Sequence, residues 1–219
     1  MDDLLQAALA PLDDAETHLL TRAERRDQQT QRIMDAAKTC FVRYGFQGAS
    51  MHQICAEAGM SPGALYRYFA SKEAIIEAIT EADAREDVRI FEVMVGNPSV
   101  VDGVVQAAMA HILHVHDQQL GGLFAEIRAE SMRNAAVRNC CMEHMGQIEN
   151  MFRDHLGAAI DRGAIDPVVG LEALLPTILS ICEGLAINDL IGAGVSAEDL
   201  ETIIRTSTVA LLRPTDPSV

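Results

Sequence analysis

Residues 50–72, SMHQICAEAGMSPGALYRYFASK, constrain the fold more than any other stretch. They read as two short helices broken at one glycine. Ser50 suits an N-cap, and Gln53 three residues on completes a capping box. Ile54 and Ala58 are four apart, which gives this helix one apolar face to bury. Gly59 falls where a helix C-terminus takes a left-handed residue. Ser61 caps a second helix, expected over 62–69. Its Pro62 lies in the first turn, where a missing N–H costs nothing. Leu65, Tyr66 and Phe69 line that helix, and Ser71 opens a third. Two helices joined by a tight glycine turn have the layout of a helix-turn-helix.

The same run carries a family resemblance. Residues 54–69, ICAEAGMSPGALYRYF, followed by Ser71-Lys72-Glu73, resemble the DNA-binding signature of TetR-family regulators. The turn glycine, the Leu65-Tyr66 pair, the aromatic at 69 and the Ser-Lys-Glu all fall in register, and the match runs from Gln28 to Ile79. Cys55 stands where the family more often has alanine, and Tyr68 where it often has histidine. The resemblance implies an all-α protein with an N-terminal three-helix DNA-binding domain and a C-terminal helical domain for ligand binding and dimerisation. It further implies a homodimeric, non-enzymatic regulator that needs no cofactor. Such a protein would be a repressor, released from a palindromic operator by a small apolar or amphipathic effector.

The net charge of −15 fits a DNA partner poorly until it is divided along the chain. Residues 1–20 carry five acids and no Lys or Arg. Residues 21–72 carry eight basic and four acidic side chains, and residues 73–219 nine basic and twenty-three acidic. The basic surplus therefore sits on the helix-turn-helix segment alone, the electrostatic footprint of a nucleic-acid-binding module on an acidic body. That body would repel DNA and confine contact to one face. No uninterrupted apolar run reaches the eighteen residues a spanning helix needs, so no membrane partner is expected. The acidic start, MDDLLQ, is no basic signal-peptide leader. Five cysteines without a Cys-x-x-Cys pair read as a reduced, cytoplasmic protein.

In order, residues 1–20 read as a partly ordered acidic arm or a short docking helix, 21–75 as the DNA-binding domain, 76–213 as the helical body and 214–219 as a disordered tail. Thr21 and Glu24 form a capping box for a first helix over 22–44, with Ile33, Ala37, Cys40, Phe41 and Tyr44 as its apolar stripe and Gly45 as its end. A helix over 72–95 should turn Ile75, Ile76, Ile79, Ala82, Val88, Phe91 and Val95 inward. Its Glu77, Glu81, Asp83, Glu86 and Asp87 should form an acidic outer face. Further helices are expected at 99–119, 122–132, 134–162, 167–192 and 197–212. The 167–192 segment is apolar around most of its circumference, so it must be buried on several sides. With the 197–212 helix it is the expected dimer surface, and Gly184 would admit a partner backbone.

In a helix-turn-helix the second helix enters the major groove. Ser61, Pro62, Gly63 and Ala64 are small enough for close approach, and Ala64 and Pro62 could touch thymine methyls. Arg67 is the one side chain there able to grip guanine bidentately. The resemblance assigns phosphate contacts to Tyr66 and extends them to Tyr68. Ser50 and Lys72 add phosphate contacts, and Arg25, Arg26 and Gln29 lie near enough to join them. For the effector pocket the candidate linings are Phe91, Met94, Met109, Leu113, Phe124, Met132, Met145, Met151 and Phe152, since methionine adapts to irregular shapes.

Two alternatives stay open. His111, His114 and His116, with Cys140, Cys141 and His144, could be soft metal ligands or a redox pair, or ordinary pocket and surface residues. A helical carrier or enzyme without DNA binding is the other. The chain has no Gly-x-Ser-x-Gly, no His-Glu-x-x-His and no phosphate-binding glycine loop.

Overall fold

The computed structural model describes residues 21–215. The acidic arm of residues 1–20 and residues 216–219 lie outside the described residues. Among those described, nine helices account for the regular structure: α1 (Arg22–Gly48), α2 (Met51–Glu57), α3 (Pro62–Leu65), α4 (Lys72–Gly96), α5 (Val100–Asp117), α6 (Gly121–Ser131), α7 (Ala135–Asp161), α8 (Leu171–Ile187) and α9 (Ala197–Leu212).

Local chemistry sets most boundaries. Thr21 and Glu24 form their reciprocal capping box, as do Ser50 and Gln53. Ser61, Ser71, Ser99, Asn134 and Ser196 each accept a hydrogen bond from a first-turn amide. Gly45 leaves the helical region at φ 71°, which ends the regular part of α1 at Tyr44. After α2, Met60 N–H reaches Cys55 O and Gly59 N–H reaches Ala56 O, the two bonds of a Schellman turn. Gly59 sits there at φ 59°, a left-handed backbone that favours glycine; the Arg32 guanidinium 2.8 Å from an added Cβ could swing aside.

Three expected segment bounds need correction. Regular helix in α3 stops at Leu65, not Phe69, because the following amides of Arg67 and Tyr68 bond three residues back and tighten the chain toward Ser71. The 167–192 segment is regular only over α8, since the Asn188 side chain takes the Gly184 carbonyl and Asp189 takes the Gly192 amide. Pro214 pairs with Ile165, and Thr215 bonds the Ala164 and Gly163 carbonyls, so the first two tail residues are held in place.

Two hydrophobic clusters organise the interior. The first gathers Ile33, Ala37 and Phe41 of α1 with Ile54, Leu65, Phe69, Ile75, Ile76 and Ile79, and it is closed by Leu123 and Ile127 from α6. The second surrounds α5, whose Val101, Val104, Val105, Ala108 and Ile112 pack against α4, α7, α8 and α9. Helix α4 serves both, with its N-terminal isoleucines in one and Phe91 and Met94 in the other. Val95 and Tyr44, expected inside, are exposed, and Met94 takes the inward position instead of Val95. Asp83 and Asp87 also leave the expected outer face. Helices α1, α5 and α7 cover α4 there, leaving Asp87 only 8 % exposed. Ile181 of α8 and Ile203 and Val209 of α9 remain exposed, and nothing lies within 4 Å of a Cβ added at Gly184.

The α4–α5 crossing depends on Gly103, where a Cβ would stand 2.8 Å from the Met94 carbonyl oxygen. Gly146, in the middle of α7, has open space around it. The same substitution should therefore act with opposite signs. Gly103→Ala should lower stability by about 1–3 kcal/mol through overpacking. Gly146→Ala should raise it by up to about 1 kcal/mol through helix propensity. Urea unfolding followed by circular dichroism reads both.

Candidate DNA-reading face and effector cavity

The helix-turn-helix presents an open face. Ser50, Ser61, Pro62, Gly63, Tyr66 and Arg67 are all exposed, whereas Leu65 and Phe69 are buried beneath them. Ala64 and Tyr68 are half-buried. The Ser50 hydroxyl donates to Gln53 Oε1 at 2.7 Å while accepting the Gln53 amide at 3.3 Å. The start of α1 lies alongside. Arg22, Arg25, Arg26, Arg67 and Tyr68 share one cleft, with the Arg26 guanidinium 5.8 Å from the Tyr68 ring centre. Four arginines thus border the candidate reading segment. Sequence reasoning named three of them, and Arg22 was legible only as one more cation at a helix start.

Lys72 occupies a different position from the other expected phosphate contacts. Its ammonium donates to the carbonyls of Phe46 at 2.7 Å and of Gln47 and Ala49 at 3.3 Å, and lies 4.6 Å from the Phe46 ring centre. All three donors are engaged in gathering the α1–α2 loop, so a phosphate oxygen there would have to share them. Helix α6 holds the same loop from the other side. The Phe46 amide donates to Glu126 at 2.9 Å, and the Gln47 side-chain amide donates to both carboxylate oxygens of Glu130 at 3.0 and 2.9 Å. Burial alone would push the Glu130 carboxyl up. Hydrogen bonds from Gln47 and Arg133 outweigh it and hold the group below its ordinary value. Sequence reasoning missed both glutamates, and their four-residue spacing on α6 was the one available signal.

A cavity of about 590 Å³ opens between α4, α6, α7 and α8. Of the expected linings, Phe91, Phe124, Met132 and Met145 stand on its wall. Met94 and Phe152 lie in the close-packed interior, with Phe152 edge-on to Phe91. Met109 and Met151 pack against that interior, and Leu113 is half-buried nearby on α5. The exposed lining residues Arg128, Met132, Arg138 and Met142 mark the side open to solvent.

The cavity floor is polar. Asp87 receives His111 Nδ1 at 2.8 Å on one oxygen and His144 Nε2 at 3.0 Å on the other. Burial works against its charge, yet the two histidine bonds win and hold its pKa at about 2. Asp83 behaves oppositely, because burial raises it despite Lys38 at 3.2 Å. The six candidate metal or redox residues do not converge. His114 faces another cleft, with Lys38 and Gln118, and His116 Nε2 lies against the Leu185 carbonyl at 3.1 Å. Burial and neighbouring acids push the Cys140 thiol up, and burial with the adjacent thiol does the same for Cys141, which disfavours the reactive thiolate. Among the described residues no three His, Cys, Asp or Glu side chains are placed to hold a metal ion. Nor is any helix there long and apolar enough to cross a membrane.

The comparisons agree with this geometry. Residues 33–79 match the profile of bacterial regulatory proteins of the tetR family. The HTH-type transcriptional regulator UidR of Escherichia coli K12 is 31 % identical over 169 residues, covering 77 % of this chain and 82 % of UidR. The HTH-type transcriptional repressor AcnR of Corynebacterium glutamicum is 23 % identical, over 80 % of this chain and 87 % of its own. Among solved structures, Salmonella enterica GusR superposes with a TM-score of 0.73 at 31 % identity, covering 89 % of this chain and 98 % of that one. With a reading head, an all-helical body and relatives of this closeness, the chain belongs to the TetR family of DNA-binding transcriptional regulators.

Proposed function

We propose that the chain is a homodimeric repressor that leaves a palindromic operator when a small apolar or amphipathic effector fills the cavity between α4, α6, α7 and α8. Residues 21–75 act as the reading head and residues 76–213 as the sensing and dimerising body, inside the cytoplasm where the DNA lies. The observation that carries this reading is the shared use of two helices. Helix α4 packs Ile75, Ile76 and Ile79 into the head while Thr80, Asp87 and Phe91 border the cavity. Helix α6 borders the cavity with Arg128 and Ser131 and holds the head loop with Glu126 and Glu130. A molecule that moves either helix moves the head. Such a molecule shifts the equilibrium only through different affinities for the two arrangements. A volume of about 590 Å³ is ample for one, since small-molecule sites run from about 300 to 1,000 Å³.

On DNA, residues 61–67 enter the major groove and Arg67 grips a guanine edge. Ser50, Tyr66 and Tyr68 take phosphates, and the α1 arginines add charge along the cleft. Lys72 acts chiefly by shaping the loop that aims this face. The apolar surface of α8 and α9, with Ile181, Ile203 and Val209 uncovered, supports pairing of two subunits. Two heads would then sit about 34–36 Å apart on one duplex face.

Selection from a randomised duplex pool at low salt tests the reading. Enrichment of an inverted repeat is expected, and no enrichment would defeat it. On the selected duplex, Arg67→Ala should weaken binding by roughly 5- to 150-fold with unchanged Tm, the range set by losing one bidentate base contact. Lys72→Met should instead lower Tm, because three loop carbonyls lose their common donor. Ile203→Asp should yield monomers in sedimentation and abolish cooperative occupancy of the repeat.

A further inference from the structure

Hydrogen-bond bookkeeping at the cavity floor points to the chemistry of the effector, and the point rests on the sensing role just proposed for that cavity. An ionised carboxylate only accepts hydrogen bonds. Asp87 is therefore an acceptor toward both histidines, so His111 carries its proton on Nδ1 and His144 on Nε2. In the neutral rings the other nitrogens, His111 Nε2 and His144 Nδ1, are bare acceptors. His144 Nδ1 is buried and finds no partner among the described residues. The His111 ring is held between Phe91 and Phe124, stacked at 27° and 28° with centroids 5.7 and 6.4 Å away. Asp83 spends one oxygen on Lys38, and its Oδ2 is buried without a partner among the described residues. Thr80 Oγ1, on a residue 6 % exposed, is likewise unpartnered among the described residues. Thr80, Asp83, His111 and His144 all line this one cavity, and the three unpartnered atoms lie just beneath its surface, so a ligand meets them after a small turn of the side chains.

Buried polar atoms without partners are costly, and a ligand that supplies the partners removes the cost. The vacant capacity here is almost entirely for accepting, because only the threonine hydroxyl can also donate. The donors on the wall lie elsewhere. Arg128 pairs with Glu183 at 3.4 Å, and Arg138 is exposed toward the open side. We propose that the effector enters with hydrogen-bond donors leading: an amphipathic molecule whose hydroxyl or amine groups meet Thr80, Asp83, His111 and His144 while its apolar part lies against Phe91, Phe124, Met145 and Ile148. A carboxylate at the leading end would face two acidic side chains and lone pairs, and is refused. Asp87 is a positioning residue: it fixes the two imidazole tautomers and gives the floor its polarity.

The full chain, labelled with ¹⁵N-histidine, tests this at pH 8. Long-range proton–nitrogen spectra, assigned through His111→Gln and His144→Gln, should show opposite tautomers, with Nδ1–H at His111 and Nε2–H at His144. The reverse at either residue overturns the proposal. Three probes sharing one ring then separate the chemistries: cyclohexylmethanol, cyclohexylmethylamine and cyclohexanecarboxylate. The alcohol, the amine or both should perturb the two histidine signals at least about ten-fold more tightly than the carboxylate, as an unmet polar group predicts. Binding by the alcohol alone assigns hydroxyl donors, and by the amine alone ammonium donors. In Asp87→Asn the amide must donate to one ring, which turns that ring's other nitrogen into a donor, so the preference over carboxylate should shrink. A carboxylate that binds as well as the others, or a preference unchanged in Asp87→Asn, overturns the inference and leaves the cavity as an effector site. If none of the probes perturbs either histidine at about 10 mM, the sensing role itself falls, and the inference with it.

Discussion

The molecule depends on how the short loop between α1 and α2 is held. Leaving α1 at Gly45, the chain exposes carbonyls and amides that no helix satisfies. Lys72 collects three of the carbonyls, Glu126 takes the Phe46 amide and Glu130 takes the Gln47 side chain. One partner belongs to the first turn of α4 and two belong to α6. The loop is thereby fixed to the body by charge-assisted bonds, which are stronger and more directional than apolar contact. Because α2 and α3 follow directly, the aim of Tyr66 and Arg67 is set by the same bonds. The head is not an independent bead on a string: its core is completed by Leu123 and Ile127 of α6.

What was legible in the sequence was local. Ser50 with Gln53, Gly59, Ser61 with Pro62, and Ser71 act within a few residues of themselves, so their spacing announces the helix-turn-helix directly. The apolar stripes of α1 and α4 were legible for the same reason, since a helical face is written every three or four residues. Tyr44 and Val95 failed because they lie at helix ends, where the supporting neighbour has already turned away. Asp83 and Asp87 failed for a deeper reason. As acids among acids on α4 they resemble a solvated face. Asp87 is hydrogen-bonded by histidines 24 and 57 residues further on, and Asp83 is paired with a lysine 45 residues earlier. No pattern within one helix reveals partners supplied by others. The methionines were misleading in part for a related reason. Periodicity marks a side chain as inward, but whether inward means cavity wall, as for Met145, or packed interior, as for Met94, depends on the helices opposite.

The charge division seen in the sequence acquires a spatial meaning in the fold. Arg22, Arg25, Arg26 and Arg67 border one cleft beside the segment proposed to read DNA, although the first three belong to α1 and Arg67 follows α3. The acids of the body are placed to different ends. Glu126 and Glu130 hold the head, Asp83 and Asp87 are drawn under the cavity, and Glu149 and Glu172 pair with Arg153 at the surface. The exposed pairs add little stability. The enclosed ones fix geometry: Glu130 and Asp87 hold hydrogen-bond partners on both oxygens, whereas Asp83 holds Lys38 on one oxygen only.

The size of the proposed switch can be set against the groups available to throw it. Moving a two-state equilibrium from 1:99 to 99:1 requires a ligand to prefer one state by about 5.5 kcal/mol. An apolar guest gains from burial in any roomy arrangement of the cavity, so shape alone discriminates weakly between two arrangements that differ by a small helix shift. Polar partners discriminate better, because a hydrogen bond weakens steeply when its angle or length is spoiled. Thr80 Oγ1, Asp83 Oδ2 and His144 Nδ1 are three buried groups awaiting partners, each worth roughly 1–3 kcal/mol when satisfied. Together they are commensurate with the shift required. Two of them ride on α4, the helix whose first turns carry Ile75, Ile76 and Ile79 into the head. A ligand that completes those bonds in only one placement of α4 has the means to choose where Arg67 points.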